Sequence, residues 1–167
     1  GTSSGVPTVG CDCKVCRSED PRDRRLRPSI LIHWAGRNIL VDTTPDFRQQ
    51  ALRERIEHID AILYTHAHAD HILGLDDLRP FNYKQRASIP IYGSEDTLEN
   101  IQRVFRYVFE NRSPNAAIPK VDTNVLNGEP VDLFGLSFEP IKLRHGTGVT
   151  HGYRFGPVAY LTDHSEI

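Results

Sequence analysis

The spacing of apolar and polar residues predicts that a β-hairpin and then a helix follow the first thirty residues. Two short apolar runs, at 29–34 and 38–41, are separated by Ala35-Gly36-Arg37, which is typical of a hairpin. Residues 44–46 then supply a cap, a first-turn proline and an acid, and apolar residues recur on one helical face. We therefore expect a helix from about 45 to 57.

The rest of the pattern alternates between further strands and a second helix. The run at 61–64 is apolar and predicts a buried strand, and residues 88–92 predict another. Ser94 and the acids after it start a helix whose amphipathic stripe extends to Phe109. Further strands are expected near 136–143, 153–155 and 158–161. Strands and helices mixed in this order indicate an α/β layered sandwich.

Composition limits the class of protein. The 167 residues can form one domain, 1–167, and no apolar run is long enough to cross a bilayer. The formal net charge of -2 gives no general attraction for nucleic acid or anionic membrane. The first residues lack the features of a secretion signal, so we expect a cytoplasmic protein. Residues 1–28 lack periodicity and are expected to form a loop region that carries the cysteines.

Four ligand-type side chains follow the strand at 61–64. If the extended geometry continues, His66 and His68 point the same way and can bind one ion. Asp70 and His71 follow where the chain turns, which brings them to a second position beside the first. Imidazoles suit zinc, iron or manganese, and the carboxylate adds charge compensation. The alternative is a polar, solvent-exposed loop in which the histidines have no function. That alternative does not explain why the motif directly follows a buried strand.

The run Thr65-His66-Ala67-His68-Ala69-Asp70-His71 resembles the signature of the metallo-β-lactamase superfamily. The resemblance implies the metallo-β-lactamase fold, a four-layer αβ/βα sandwich with two divalent metal ions, zinc or manganese, where the sheets meet. It also implies a buried supporting aspartate, matched by Asp42, a later histidine, matched by His145, and a bridging aspartate, matched by Asp163. The implied first site is His66, His68 and His145, and the second is Asp70 and His71, with Asp163 bridging.

The three cysteines, Cys11, Cys13 and Cys16, lie too close together for an ordinary disulfide framework. Their thiols can reach one zinc ion, which would need a fourth ligand from elsewhere. Three reduced thiols in a loop are the alternative to this structural zinc. The cluster resembles one branch of the superfamily, the phosphodiesterases related to the phosphoribosyl cyclic phosphate phosphodiesterase of phosphonate breakdown.

Two further segments resemble that branch and the tRNA 3′-processing endonucleases. They are the Gly-rich opening at 1–7 and the Gly-Tyr-Arg element at 152–154. A plain turn and a strand surface charge are their structural alternatives. Within this resemblance, Ser3 and Ser4 of the opening and His164 near the bridging aspartate are expected to contact the substrate.

The resemblance implies a phosphoric diester hydrolase acting on small or cyclic, nucleotide-like phosphodiesters. A hydroxide bridging the two ions is the expected nucleophile, and Asp70 is the expected catalytic residue, which orients it in addition to binding metal. The expected partner is a small phosphodiester or nucleotide substrate. A membrane is not expected, nucleic acid is disfavoured by the slightly acidic charge, and a homodimer is left open.

Other classes of function share part of this pattern. A glyoxalase II-like thioesterase or a β-lactamase would use the same metal motif but would need neither the cysteines nor the Gly-Tyr-Arg element. A non-enzymatic metal- or nucleotide-binding module is the third interpretation, because no histidine after His164 could serve as the family's last metal ligand. The absence of a first hydrophobic strand and the end at Ile167 predict a fold truncated at both ends.

Overall fold

A computed structural model describes residues 3–110 and 117–165 of the chain, which form two β-sheets. The strands of the first sheet are Ile30–Trp34 (β1), Arg37–Val41 (β2), Ala61–Leu63 (β3), Ile89–Gly93 (β4) and Val121–Val125 (β5). They pair in the order β1-β2-β3-β4-β5. β1 and β2 form the predicted antiparallel hairpin, and the remaining pairs are parallel.

Parallel neighbours need crossover connections, which helices supply here. The helices are Phe47–Arg53 (α1), Ala69–Ile72 (α2), Arg79–Gln85 (α3), Glu95–Val104 (α4) and Arg106–Phe109 (α5). Two 3-10 helices add to them, Pro21–Asp23 before β1 and Leu73–Leu78 between α2 and α3. Because β2 and β3 are parallel, the residues that follow each of them meet at one edge of the sheet.

The second sheet is an antiparallel meander. Its strands are Val131–Leu133 (β6), Leu136–His145 (β7), Gly148–Phe155 (β8) and Val158–Tyr160 (β9), paired in chain order. Gly146 and Gly156 have φ values of 59° and 53°, which suit the tight turns between β7, β8 and β9. The sheet therefore needs no long connection between neighbouring strands.

Two apolar clusters hold the layers together. One lies between the first sheet and the helices, where Leu40 and Ile62 pack with Phe47. The other lies between the two sheets, where the alternate residues Ile39 and Val41 pack with partners from the second sheet. The buried apolar residues of α1 to α5 all belong to the first cluster, so the described residues build three of the four expected layers: helices, sheet and sheet.

Helix α1 is shorter than the segment from about 45 to 57 that the sequence predicts. The Thr44 hydroxyl, expected as the cap, accepts from the Asp46 amide at 3.2 Å, but the helix begins only after Asp46, which has φ −90° and ψ 1°. The Asp46 carboxylate, expected as an acid of the first turn, accepts instead from Arg27 at 2.8 and 3.0 Å. The chain leaves the helical conformation after Arg53, and Arg55 has a positive φ of 52°.

The second predicted helix is divided into α4 and α5. Ser94 caps α4 as expected, with its hydroxyl accepting from the Thr97 amide at 3.3 Å. The apolar stripe continues past Phe105, but that residue has φ −105° and ψ 40°, which interrupts the helix. The stripe stays buried across the break because both helices pack on the first cluster.

Three elements have no clear signal in the sequence pattern. β5 reads Val-Asp-Thr-Asn-Val, pairs only with β4 in the described sheet and has no fully buried residue. β6 is three residues long, and α3 carries Pro80 in its first turn. Within the described ranges, no helix has the length and apolar character needed to span a membrane.

Gly74 marks the closest approach between the segment after α2 and the loop before α1. A Cβ atom there would overlap the Thr44 carbonyl oxygen and lie 2.8 Å from Phe47 Cβ. We expect Gly74→Ala to lower the free energy of unfolding by about 1–3 kcal/mol through overpacking, measured by urea denaturation. In the control Gly148→Ala, the new Cβ would lie 3.6 Å from the nearest neighbour, an ordinary contact. Equal stability of the two variants would contradict the prediction.

Candidate metal centre

The histidine motif lies directly after β3, at the edge where the two sheets meet. His66 follows the strand, and His68, with an extended backbone of φ −68° and ψ 151°, is the residue immediately before α2. Asp70 and His71 lie in the single turn of α2, so the helix brings them back toward the histidines before it. This is the change from strand to turn that the sequence predicts.

Side chains distant in sequence join this loop. His145 ends β7, and Asp163 follows β9 with a positive φ of 47°. The rings of His145 and His68 are 5.1 Å apart, and His71 Nε2 lies 3.0 Å from Asp163 Oδ2. The second sheet therefore delivers both residues to the loop that ends β3 of the first sheet.

The potential ligand atoms form two groups that share Asp163. Within each group, one nitrogen or carboxylate oxygen per residue lies within 4.8 Å of all the others. The first group is His66, His68, His145 and Asp163, and the second is Asp70, His71 and Asp163. Each residue that the sequence assigns to the two active-site ions thus lies in one of these two groups, although metal binding itself remains a prediction.

The donor chemistry of these groups suits divalent cations. His66 Nε2 and His68 Nδ1 are only 3.0 Å apart, so two imidazole nitrogens converge on one point. Asp70 Oδ2 is buried without a hydrogen-bond partner among the described residues. A buried carboxylate oxygen without a partner is costly unless a cation or water compensates it. Imidazole and carboxylate ligands of this kind bind zinc or manganese.

A fully buried aspartate forms hydrogen bonds that hold the histidine motif in place. Asp42 follows β2 with a φ of 62°, and its oxygens accept from the Thr65 amide and hydroxyl, both at 2.8 Å. It also accepts from His71 Nδ1 at 2.7 Å. This bond fixes the orientation of the His71 ring. The other nitrogen, Nε2, therefore faces Asp70 and Asp163.

The two buried histidines of the loop have opposite proton affinities. Burial, followed by the charges of His71 and His68, lowers the pKa of His66 to about 3. Burial also disfavours charge on His71, but the hydrogen bond and charge of Asp42, with Asp70 and Asp163, outweigh it and raise the pKa of His71 to about 9. Without metal, His66 is therefore neutral and His71 protonated at neutral pH.

The cysteines form a separate group on the loop before β1. The sulfur atoms of Cys11, Cys13 and Cys16 all lie within 4.8 Å of one another. A hydrogen bond from the Cys16 amide, followed by contacts with the other two thiols, lowers the pKa of Cys13 to about 7. In the described part of the chain, no histidine, aspartate or glutamate joins them as a fourth ligand. The cysteines therefore supply three of the four ligands that the expected zinc needs.

The expected substrate residues lie in exposed positions. The Ser3 carbonyl accepts from Arg27 Nε at 3.0 Å, and the Ser4 and Thr8 hydroxyls are 3.3 Å apart. His164 belongs to neither of the two donor groups at the motif. Roles of Ser3, Ser4 and His164 in substrate binding remain predictions.

The Gly-Tyr-Arg element divides into a buried and an exposed part. Tyr153 is fully buried, and its hydroxyl donates to the Tyr64 carbonyl at 2.7 Å, just before the metal-binding loop. Arg154 is exposed and pairs with Glu139 at 2.8 Å, as a surface charge on a strand would. Tyr153 thus supports the loop, a role that its spacing in the sequence does not reveal.

The fold and this site define the class of protein. Residues 37–167 match the family described as the Beta-lactamase superfamily domain, and the chain belongs to this superfamily. The predicted metallo-β-lactamase fold is confirmed.

Three relatives illustrate where the chain lies in the superfamily. A solved structure of a new diphosphatase from the PhnP family has a TM-score of 0.90 and 50% identity, covering all of this chain and 64% of that one. An octanoyltransferase of Porphyromonas gingivalis is 44% identical over all of this chain and 34% of its own length. A ribonuclease Z of Bradyrhizobium diazoefficiens is 29% identical, covering 93% of this chain and 48% of the relative. The chain therefore spans only part of each relative.

The raised pKa of His71 predicts that metal binding releases a proton. At pH 7.5 the metal-free protein carries a proton on His71 Nε2, which a cation at the Asp70–His71–Asp163 group must displace. We expect His71 to release about one proton for each ion bound at this group, and binding there to tighten as the pH rises toward 9.

Calorimetric titration with Mn²⁺ in buffers of different ionisation enthalpy measures this release, since thiolates such as those of the cysteine cluster are poor manganese ligands. At pH 9 the release should be smaller by about half a proton, because about half of the His71 rings are then already neutral, whereas a proton lost from metal-bound water is released at both pH values. Equal proton release at pH 7.5 and pH 9 would show that His71 is not the source.

Proposed function

We propose that the protein is a metal-dependent phosphodiesterase acting on small or cyclic, nucleotide-like phosphodiesters. The observation that carries this proposal is the pair of donor groups sharing Asp163, which is the arrangement a binuclear site needs. The names of two relatives, a diphosphatase and a ribonuclease, denote hydrolysis at phosphorus and support the same chemistry. The 50% identity to the diphosphatase extends over the whole chain.

In this proposal each group holds one divalent ion, zinc or manganese. His66, His68 and His145 hold the first, Asp70 and His71 hold the second, and Asp163 lies between them. Two bound ions supply polarisation of the phosphoryl oxygen and a lower pKa for bound water.

The chain's own residues orient the reacting groups. Asp42 fixes the ring of His71 through the bond to Nδ1, so that Nε2 stays directed into the site. Asp70 has two carboxylate oxygens, one to bind metal and one to accept a proton from the attacking water. The Oδ2 atom, which is buried without a hydrogen-bond partner in the described ranges and lies 3.4 Å from His71 Nε2, would be the oxygen that binds metal, which leaves Oδ1 to accept the proton.

The cysteine cluster is proposed to hold a structural zinc that shapes the loop before β1. The bridge between Val6 and Arg25 closes the loop on itself, and the Arg27–Asp46 ion pair at 3.0 Å joins the loop to the domain. A zinc ion on the three sulfur atoms would fix its outer part.

A second candidate function is hydrolysis of a thioester. It is favoured by the octanoyltransferase relative, whose name denotes acyl transfer and which is 44% identical over the whole chain. The match covers only 34% of that protein, so most of the relative lies outside the matched segment. We therefore rank this function below phosphodiester hydrolysis.

Turnover by the full-length protein distinguishes the two functions. We expect hydrolysis of bis(p-nitrophenyl) phosphate, followed by p-nitrophenol absorbance, and little hydrolysis of thioester or β-lactam substrates. Asp70→Asn should lower kcat about 100-fold or more, because the neutral amide binds metal weakly and cannot accept a proton. Asp122→Asn, an exposed change on β5, is the matched control and should leave kcat unchanged.

Thioester turnover without phosphodiester turnover would instead establish the second candidate. Equal kcat values for Asp70→Asn and the unchanged protein would remove Asp70 from the proposed chemistry.

Metal content tests the structural zinc separately. Mass spectrometry of the full-length protein should find one zinc fewer per chain in Cys13→Ser than in the unchanged protein, because a thiolate ligand is lost. His68→Ala should lose metal from the histidine cluster while keeping the zinc of the cysteines. An unchanged zinc content in Cys13→Ser would contradict the proposed cluster.

A further inference from the structure

Strand β8 of the second sheet makes direct contacts with the metal-binding loop of the first sheet. The Thr65 carbonyl accepts from the His151 amide at 2.9 Å, and the Thr150 hydroxyl lies 3.5 Å from the same oxygen. The Thr150 hydroxyl also lies 3.3 Å from His66 Nδ1. Thr150 is fully buried, so no bulk water competes for these contacts.

The position of His66 determines which of its nitrogens carries a proton. Nε2 lies 3.0 Å from His68 Nδ1 and 3.7 Å from Asp163 Oδ2, so Nε2 is the nitrogen directed at the proposed ion. A neutral imidazole that binds metal through Nε2 carries its proton on Nδ1. That proton needs an acceptor within the protein, since His66 is only 5% exposed.

Two hydroxyl oxygens are within reach of this proton. Thr65 Oγ1 is 3.0 Å from His66 Nδ1 and gives its own proton to Asp42 at 2.8 Å, which leaves the oxygen free to accept. Thr150 Oγ1 has the Thr65 carbonyl as the acceptor for its own proton, so it also faces His66 with a lone pair. The ring of His66 is thus held from both sheets.

We propose that Thr150 is a positioning residue for the first metal site. It accepts from His66 Nδ1 and sets the rotation of the ring that binds metal through Nε2. This inference rests on the proposed metal-dependent function, but it concerns the geometry of one ligand and not the identity of the substrate.

The surrounding packing gives Thr150 a fixed position. A Cβ atom on the neighbouring Gly152 would lie 2.8 Å from the Tyr160 carbonyl and would overlap Leu161, so β8 and the chain after it are in close contact there. The Tyr153 hydroxyl adds its bond to the Tyr64 carbonyl at 2.7 Å. With the backbone held on both sides, the β-branched Thr150 has little freedom at χ1.

The test compares Thr150→Ser with Thr150→Ala in the full-length protein. Both variants lose the γ-methyl group, and only serine keeps the hydroxyl, so their difference isolates the hydrogen bond. Co²⁺ affinity is measured by competition with a chelator, with the visible spectrum as the readout. Loss of a hydrogen-bond partner of a metal ligand typically costs 10- to 100-fold in affinity. Because Thr65 still accepts from His66, we expect about a 10-fold loss in Thr150→Ala and near-normal affinity in Thr150→Ser.

The control is Thr97, a second buried threonine. Thr97 lies on α4, and its hydroxyl is 2.8 Å from that of the capping residue Ser94 and is not bonded to a metal-site residue. Thr97→Ala and Thr97→Ser should both bind Co²⁺ as the unchanged protein does. Equal affinities of Thr150→Ala and Thr150→Ser would overturn the proposal. If Thr150→Ala does not fold, Thr150→Val keeps the branched volume without the hydroxyl and is compared with the unchanged protein.

A readout that does not depend on turnover separates this inference from the proposed function. In nitrogen-15 spectra of the protein loaded with Zn²⁺, which binds Nε2 and leaves the proton of His66 on Nδ1, that proton should exchange slowly in the unchanged protein and in Thr150→Ser, and faster in Thr150→Ala. The same exchange rate in all three would also overturn the proposal. Absence of phosphodiester turnover by the unchanged protein would remove the proposed function but would not alter either readout.

Discussion

A fully buried carboxylate, that of Asp42, joins three of the segments from which the site is built: its own segment after β2, the loop after β3 and helix α2. Its oxygens accept from the amide and hydroxyl of Thr65 after β3 and from Nδ1 of His71 in α2. An unpaired carboxylate in this position would cost several kcal/mol, so burial is tolerated only because all these donors converge on it. The consequence reaches both donor groups: His71 is oriented directly, and His66 is oriented through the Thr65 hydroxyl.

The site also depends on the fixed relation of the two sheets. The apolar cluster between them, which includes Phe138 and Tyr153, places β7 and β8 against the ends of β2 and β3. His145 and Asp163 are carried by the second sheet and the segment after it, whereas the motif from His66 to His71 follows the first sheet. Loss of packing between the sheets would therefore separate the potential ligands without changing any of them.

Local sequence patterns predict the parts of this architecture that local forces determine. The hairpin, the buried strand before His66 and the cap at Ser94 follow from residue periodicity and capping chemistry. The helix expected from about 45 to 57 is shorter at both ends: it begins after Asp46, whose carboxylate binds Arg27 from another segment, and it ends before Arg55, which has a positive φ. Thr150 contacts a histidine 84 residues away, and nothing in its own surroundings in the sequence marks that contact. His145 and Asp163 could be named only through the family resemblance, since their proximity depends on the packing of whole sheets.

Charge offers a physical reason to favour a phosphodiester over a neutral carbonyl substrate. Two divalent ions would bring four positive charges to the cluster, and Asp70, Asp163 and a bridging hydroxide would neutralise three of them. Asp42 adds a further negative charge behind the metal-binding loop, where its three hydrogen-bond donors offset part of it. The remaining positive potential would attract an anionic reacting group and stabilise the additional charge that develops during attack at phosphorus. A thioester carbonyl carries no charge and would gain only the second of these effects, which supports ranking the phosphodiester above the thioester in the proposed function.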